Sequence, residues 1–268
     1  MSLDPLGSLG SLDGQLDRGF VLLPRLLGPA ETAALGEAAE SVLSRVTDKA
    51  RDGKADVAVW PDGHRLEKVD GTTVHWEPEA RPPAVRSLSP VTHLDPALDA
   101  LWTDDRITAP MRRIVGAERL GRFTCKLNFK RAGVGSEFRW HQDYPYWYCC
   151  AGPDARDVAT AMVFLDDVTA DNGALVIVPG SHRAGPAPRD RAEPTGLLVD
   201  AERTDVRGAV TVEAPAGSVL MFPGLVVHRS GPNRTAHDRR SLLLCFQPAD
   251  RPELAGLPYR PERLTDLP

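Results

Sequence analysis

The stretch Phe123-Thr-Cys-Lys-Leu-Asn-Phe-Lys130 decides the fold, because apolar and polar residues alternate along it. A period of two is typical of a β-strand that turns one face toward an apolar core and the other toward polar groups. The polar face here carries Lys126, Asn128 and Lys130. We therefore predict a strand with one apolar face and one polar, partly cationic face.

The sequence around this strand predicts helices before it and more strands after it. A short strand precedes Pro24, one helix runs from Pro29 to about Asp48, and a second helix or helix pair lies between Pro96 and Gly116. Residues 51–90 are rich in proline and glycine, which predicts loops with short strands. Five later strands are predicted between turn-forming segments, at residues 158–165, 174–178, 209–213, 218–222 and 241–247.

Helices followed by antiparallel strands predict a mainly β protein with flanking helices and a double-stranded β-helix core, the cupin-like jelly roll. The 268 residues suffice for one large core and are expected to form a single domain, 1–268. Within it we expect four parts: flexible residues 1–17, helical support and loops at 18–116, the jelly-roll core at 117–248, and a C-terminal extension at 249–268.

The composition excludes several classes of function. Lys and Arg total 32 against 37 Asp and Glu, so a charge of -5 offers phosphate backbones no general attraction, and we expect no nucleic-acid partner. No apolar run is long enough to span a membrane, and the first residues lack a basic segment before an apolar one. We therefore expect a cytoplasmic monomer or homodimer that acts on a small molecule.

The 4 cysteines form no CxxC pair, which predicts free thiols rather than a zinc or iron–sulfur site.

The segment Trp140-His-Gln-Asp143 is the strongest indication of a metal site. On an extended strand, residues two apart project to one side, so His141 and Asp143 face a common point. His228, at the end of an apolar segment, is the best candidate for a third ligand. Two imidazoles and one carboxylate leave one side of the metal open, which suits Fe(II) that binds a bidentate co-substrate and dioxygen.

A His-x-Asp pair alone is a weak indication, because most such pairs lie on the surface or form hydrogen bonds in a core. His182 is the other candidate ligand, but a residue in a Pro-Gly-Ser turn more often caps or positions a loop. The remaining histidines lie in the proline-rich first half or in a polar turn: His64, His75, His93 and His237.

Arg239 opens a predicted strand after His228. A dicarboxylate co-substrate needs a cation at its far end, and a guanidinium can hold that carboxylate bidentately. Arg240 points to the opposite face of the strand, so only one of the two can serve. The alternative is a solvated basic pair at a strand edge.

Four aromatic residues follow the metal motif within five positions: Tyr144, Tyr146, Trp147 and Tyr148. They form either a wall of the substrate pocket or a packed hydrophobic corner. An aromatic wall suits an aliphatic ring or a cation. Arg139 and Lys130 are further candidates for contact with a substrate carboxylate.

The combination of His141-x-Asp143, His228 and Arg239 resembles the phytanoyl-CoA dioxygenase family of Fe(II)/2-oxoglutarate oxygenases. The resemblance spans about residues 18–248 and includes Asp171–His182 and Ser230–Asn233. The ectoine hydroxylase branch is the most similar in style, because of the segment Phe138-Arg-Trp-His-Gln-Asp-Tyr-Pro-Tyr-Trp147.

The resemblance implies that His141, Asp143 and His228 are the catalytic iron ligands and that Arg239 and Ser230 hold the distal carboxylate of 2-oxoglutarate. It also implies polar residues near the co-substrate, for which Lys126, Asn128 and Thr160 are the candidates. The substrate-binding candidates are Tyr144, Tyr146, Trp147 and Arg139.

The activity implied is hydroxylation of an aliphatic C–H bond of a small amino-acid-like or natural-product metabolite, using O2 and releasing succinate and CO2. Family members that halogenate lack the carboxylate ligand, so Asp143 favours hydroxylation. Two alternatives stay open: a cupin-like metal enzyme, such as an isomerase or hydrolase, that does not use 2-oxoglutarate, and a non-catalytic jelly-roll binding module.

Overall fold

The computed structural model describes residues 10–51, 56–59, 63–78, 80–257 and 259–267. The α-helices in these ranges are α1 Leu12–Arg18, α2 Pro29–Arg51, α3 Pro96–Ala100, α4 Asp105–Val115 and α5 Asp143–Ala151. Short 3-10 helices lie at Thr92–Leu94, Leu101–Thr103, Gly152–Asp157, Ser181–Ala184, Leu254–Gly256 and Pro261–Asp266. The strands are β1 Val21–Leu23, β2 Asp56–Val59, β3 Arg65–Val69, β4 Thr72–Trp76, β5 Val85–Ser89, β6 Leu120–Lys130, β7 Phe138–His141, β8 Ala159–Phe164, β9 Leu175–Ile177, β10 Val210–Val212, β11 Val219–Pro223, β12 His228–Ser230 and β13 Arg239–Pro248.

The strands form two antiparallel sheets. The larger sheet has the order β1-β11-β8-β13-β6-β5-β4-β3-β2, and the smaller has the order β10-β9-β12-β7. Side chains from both sheets, including Met162 of β8, Ile177 of β9 and Phe222 of β11, share one apolar cluster. The predicted jelly roll is therefore confirmed.

The outer face of the larger sheet packs against α2 and α4. Val42, Ile107 and Leu127 lie together in this second apolar cluster. Cys125, Leu127 and Phe129 of β6 are buried on this side, so the residues between them face the space between the sheets. The alternation in β6 thus places Lys126 and Asn128 inside the jelly roll, as its period of two predicts.

The helices on this face begin and end at residues suited to their ends. Asp104 caps α4 by accepting a hydrogen bond from the Arg106 N–H at 2.9 Å, and Gly116 ends the helix with φ 74°. The Glu31 carboxylate in the first turn of α2 accepts from the Gly28 N–H at 2.8 Å. None of the described helices combines the length and apolar character that crossing a bilayer requires.

Two segments of the first part of the chain contain regular secondary structure. Residues 12–17, expected to be flexible, lie in α1, where the buried Gln15 side chain accepts from the Leu22 N–H at 2.8 Å; residues 1–9 lie outside the described part. Residues 18–116 contain helices, loops and the short strands β1–β5 of the larger sheet, and short strands are predicted both before Pro24 and within residues 51–90. β1 joins this sheet by pairing with β11, and β2–β5 join it because β5 pairs with β6. The local sequence does not indicate which of these strands pair.

Candidate metal centre and co-substrate cavity

His141 and His228 are brought together by strand pairing in the smaller sheet. They are direct partners in the antiparallel register of β7 and β12. Their ring centroids lie 4.2 Å apart, although the residues are far apart in sequence. Both imidazoles therefore face the same point inside the jelly roll.

Asp143 reaches this point from a helix and not from a strand, which corrects the expectation of a continuous strand. Gln142 is extended, with φ -114° and ψ 146°, and Asp143 is the first residue of α5. The Gln142 amide is buried and donates to the Leu225 carbonyl at 2.6 Å, while its oxygen accepts from the Ala187 N–H at 2.8 Å. These contacts hold the segment between the two side chains in place.

The three side chains form a donor set suited to a metal ion. One ligand atom from each of His141, Asp143 and His228 lies within 4.8 Å of the others, and His141 Nε2 is 3.8 Å from Asp143 Oδ1. Each imidazole donates its Nδ1–H to a backbone carbonyl, His141 to Arg139 at 2.7 Å and His228 to Val226 at 3.0 Å. This tautomer leaves both Nε2 lone pairs available for a metal.

Burial favours the neutral form of the His141 imidazole. It lowers the pKa of His141 well below the ordinary value of 6.5, and the neighbouring His228 lowers it further. Only the neutral ring can give a lone pair to a metal, so the apolar surroundings prepare the ligand for binding.

Arg239 lines the same cavity as the triad, with only 1% of its surface exposed. Its guanidinium donates to the Gly173 carbonyl at 2.7 Å and to Ser241 Oγ at 3.2 Å, and its Nε has no partner among the described residues. Burial lowers the pKa of Arg239 to about 10. A buried cation with an unused N–H fits an anionic ligand.

Arg240 is held on the opposite face of β13. Its guanidinium donates to Asp166 at 2.7 Å and lies 3.3 Å from Glu40 of α2. The alternation along the strand therefore separates the two arginines, and only Arg239 lines the cavity.

The cavity between the triad and Arg239 contains further polar groups. Asn128 Oδ1 is buried there without a hydrogen-bond partner among the described residues, and Ser230 lies beside it, also buried. Lys126 lines the same cavity, and burial lowers the pKa of its ammonium group. Unsatisfied acceptors and buried cations in one space are typical of a site that binds a polar ligand.

A β-bulge in β7 changes which residues face the cavity. His141 pairs with His228 and Phe138 pairs with Ser230, so three steps along β7 match two along β12. Phe138 therefore lines the cavity beside His141. Arg139, predicted to bind substrate, instead lines a separate surface groove 3.8 Å from Asp190. The contact of Arg139 with the substrate stays a prediction.

The aromatic residues after Asp143 divide between a packed hydrophobic corner and a candidate wall of the substrate pocket. Tyr144 and Trp147, the predicted substrate-binding residues, are buried in an apolar cluster with Phe123 and lie outside the set of residues that line the cavity. Helix α5 turns them away from the metal centre, so they form the packed corner. The Tyr146 ring lies 6.2 Å from the His141 ring and stays a candidate for substrate contact.

Thr160 and His182 lie outside the set of cavity-lining residues. Thr160 is fully buried on β8, and its hydroxyl lies 3.5 Å from Cys245 Sγ, so its contact with the co-substrate stays a prediction. The His182 ring packs against Gly19. It therefore positions a loop, as its Pro-Gly-Ser turn indicates.

Sequence reasoning missed the apolar lining of the cavity. The residues concerned share inward orientation on strands of both sheets: Phe138, Met162, Leu175, Phe222 and Leu243. The alternation of β8 and β11 could have indicated Met162 and Phe222. No local pattern indicates Phe138, because its orientation depends on the bulge.

Gly224 is expected to be essential for the position of Asp143. A Cβ at this position would lie 2.4 Å from Trp147 of α5, and the Gly224 carbonyl accepts from the Tyr144 N–H at 3.0 Å. We expect Gly224→Ala to lower the free energy of unfolding by about 1–3 kcal/mol, the usual range for overpacking, and to weaken metal binding.

Chemical denaturation and calorimetric titration with Mn(II) measure these two effects. The matched control is Gly256→Ala, since a Cβ there meets nothing within 4 Å. If Gly224→Ala matches this control in both measurements, the contact with Trp147 does not position α5.

Comparison with known proteins places this geometry in a family. The sequence matches the family described as phytanoyl-CoA dioxygenase (PhyH) over residues 16–241. The chain belongs to the phytanoyl-CoA dioxygenase family. It is accordingly an Fe(II)/2-oxoglutarate-dependent dioxygenase, and the resemblance inferred from its sequence is confirmed.

The names of individual relatives agree with the assignment of this phytanoyl-CoA dioxygenase family member to the dioxygenases. The ectoine dioxygenase of Bordetella parapertussis is 30% identical over 266 residues, which cover 92% of this chain and 78% of that protein. The L-proline trans-4-hydroxylase of Streptomyces griseoviridis is 30% identical over 143 residues, covering 46% and 53%. The crystal structure of EctD from S. alaskensis with 2-oxoglutarate and 5-hydroxyectoine has a TM-score of 0.65 at 24% identity, over 92% and 78% of the two chains. That likeness shows a shared fold.

Proposed function

We propose that His141, Asp143 and His228 bind the iron and that Arg239 holds the distal carboxylate of 2-oxoglutarate. One observation carries this assignment: the triad and the buried Arg239 line one cavity. Ser230 and the unpaired oxygen of Asn128 line the same cavity and are available to polar atoms of the co-substrate.

We further propose that the enzyme hydroxylates an aliphatic C–H bond of a small metabolite that carries a carboxylate or similar anionic group. When bound, the iron supplies the oxidation of that bond, coupled to conversion of 2-oxoglutarate and O2 to succinate and CO2. The protein fixes the carbon to be attacked: Phe138 and Phe222 provide apolar walls, and Lys126 provides a charge. The names of the relatives that act on ectoine and L-proline support a substrate of this size.

Lys126 is better placed for the substrate than for the distal carboxylate of the co-substrate. It lies four residues from Lys130, about 13 Å along β6, and Lys130 is the strand partner of Arg239. The negative charge of Asp143 is the largest influence that favours the ammonium form of Lys126, which supports a role near the metal ligands. It forms no ion pair with a described carboxylate. An anionic group of the substrate supplies the missing partner.

Lys126→Met keeps the length of the side chain and removes the charge. We expect KM for the substrate to rise about 10- to 150-fold, the effect of losing a hydrogen bond to a charged group. The dissociation constants of Mn(II) and 2-oxoglutarate should change little. A weaker 2-oxoglutarate affinity with an unchanged KM for the substrate assigns Lys126 to the co-substrate instead.

The proposed function is tested with a panel of amino acids, cyclic amino acids and their decarboxylated analogues. Succinate release identifies turnover, and mass spectrometry of the product should show the gain of one oxygen atom. Analogues without the carboxylate should fail. Metal-dependent turnover without 2-oxoglutarate would instead identify a cupin-like isomerase or hydrolase.

A further inference from the structure

Lys130 is a second buried cation next to Arg239. The two residues are direct strand partners in β6 and β13, and they are 2% and 1% exposed. A Cβ on Gly173, whose carbonyl binds Arg239, would lie 2.8 Å from Lys130 Cδ. The stem of Lys130 therefore packs against the residue that holds the guanidinium.

The hydrogen-bond partners of the Lys130 ammonium group in the described part of the chain are neutral carbonyls. It donates to the Ser136 carbonyl at 2.7 Å and to the Gly231 carbonyl at 2.5 Å, and lies 5.2 Å from the centroid of the Phe138 ring. Within the described ranges, Lys130 and Arg239 form no ion pair with a carboxylate. Two adjacent buried cations, neither in an ion pair with a described carboxylate, repel each other, and this repulsion favours loss of a proton by the lysine.

The charged groups that face Lys130 come from two strands and from the segments after β4 and before β7. Arg239 of β13 and Arg86 of β5 disfavour its charge, whereas Glu77 after β4 and Glu137 before β7 favour it. Burial is the largest influence, and together these effects lower the pKa of Lys130 to about 6. At neutral pH the amine is therefore mainly uncharged while Arg239 lacks an anion.

We propose that Lys130 is a positioning residue of the co-substrate site that takes up a proton when a carboxylate binds Arg239, so that 2-oxoglutarate binding is linked to proton uptake. The inference rests on the proposed role of Arg239. The arriving carboxylate cancels the repulsion from the guanidinium and adds an attraction, and both effects stabilise the ammonium form. The charged lysine then makes stronger hydrogen bonds to the carbonyls of Gly231 and Ser136. Gly231 directly follows Ser230, and Ser136 lies two residues before Phe138, so these bonds hold two segments that line the cavity.

The linkage has a defined direction. Below about pH 6 Lys130 already carries its proton, so binding takes up none and the affinity for 2-oxoglutarate is highest. Above that pH each binding event takes up as much as one proton. The affinity then falls as pH rises, by at most about tenfold per pH unit, until the pH passes the raised pKa of the complex.

The test is calorimetric titration of the Mn(II)-loaded protein with 2-oxoglutarate under nitrogen, at about pH 7.5 in buffers of different ionisation enthalpy. The dependence of the heat on the buffer gives the number of protons taken up. We expect a value approaching one for 2-oxoglutarate. We expect a value near zero for 2-oxopentanoate, which has the same chelating end and lacks the distal carboxylate. Lys130→Met should bind 2-oxoglutarate with no proton uptake.

Each outcome is decisive. Equal proton numbers for 2-oxoglutarate and 2-oxopentanoate overturn the inference even if Lys130→Met does not fold. Unchanged proton uptake in a folded Lys130→Met assigns the proton to another group and also overturns it. If 2-oxoglutarate does not bind at all, the proposed function fails, whereas binding without proton uptake rejects only the role of Lys130.

Discussion

Asp143→Ala is expected to abolish hydroxylation. The Asp143 carboxylate is the anionic member of the donor set, 3.8 Å from His141 Nε2, and would neutralise part of the charge of a bound metal. A bound metal contributes several kcal/mol to the transition state, so we expect the rate to fall on the order of 10³-fold or more. Succinate release measures turnover, and calorimetric titration with Mn(II) should show weaker binding.

Asp154→Ala is the matched control for this variant. Asp154 is exposed on the short helix that follows α5, away from the cavity. The Asp154→Ala substitution removes one carboxylate from the same region and should leave turnover and Mn(II) affinity unchanged. Hydroxylation at an undiminished rate in Asp143→Ala would falsify the assignment of Asp143 as a ligand.

Arg239→Ala has the second large expected effect, on the co-substrate rather than on the metal. Loss of one partner of a buried charge pair removes about 2–5 kcal/mol, so the dissociation constant of 2-oxoglutarate should rise roughly 30- to 5,000-fold. The affinity for 2-oxopentanoate should stay unchanged, because that ligand has no carboxylate to place on the guanidinium. Calorimetric titration of the Mn(II)-loaded protein measures both constants.

Arg240→Ala distinguishes this role from a general effect of positive charge. Arg240 is bound to Asp166 on the outer face of β13, so its loss should leave 2-oxoglutarate affinity nearly unchanged. A larger loss of co-substrate affinity in Arg240→Ala than in Arg239→Ala would contradict the proposed orientation of the strand.

The sequence predicts much of the candidate site because strand periodicity assigns faces locally. The alternation of β6 places Lys126 and Asn128 inside the jelly roll, and the same rule separates Arg239 from Arg240. Steric constraints on an extended backbone make this rule local, so no tertiary information is needed. It does not hold through β7, where one extra residue turns Phe138 toward the cavity.

The aromatic segment after Asp143 shows a second limit of sequence reasoning. Four aromatic residues in five positions fit both a pocket wall and a packed corner. The change from an extended Gln142 to helix α5 buries Tyr144 and Trp147 away from the cavity. The packing of Trp147 against Gly224, far along the chain, decides between the two. No local pattern carries that contact.

By itself, the sequence determined the class of fold, the identity of the three ligand candidates and the strand that carries the cationic end of the cavity. These follow from residue type and from periods of two along single strands. Only the tertiary structure decided which side chains meet: the pairing of His141 with His228, the bulge that turns Phe138 inward, and the placement of Lys130 beside Arg239. The physical reason is that these contacts depend on strand register and close packing between residues far apart in sequence, and neither leaves a periodic signal in the chain.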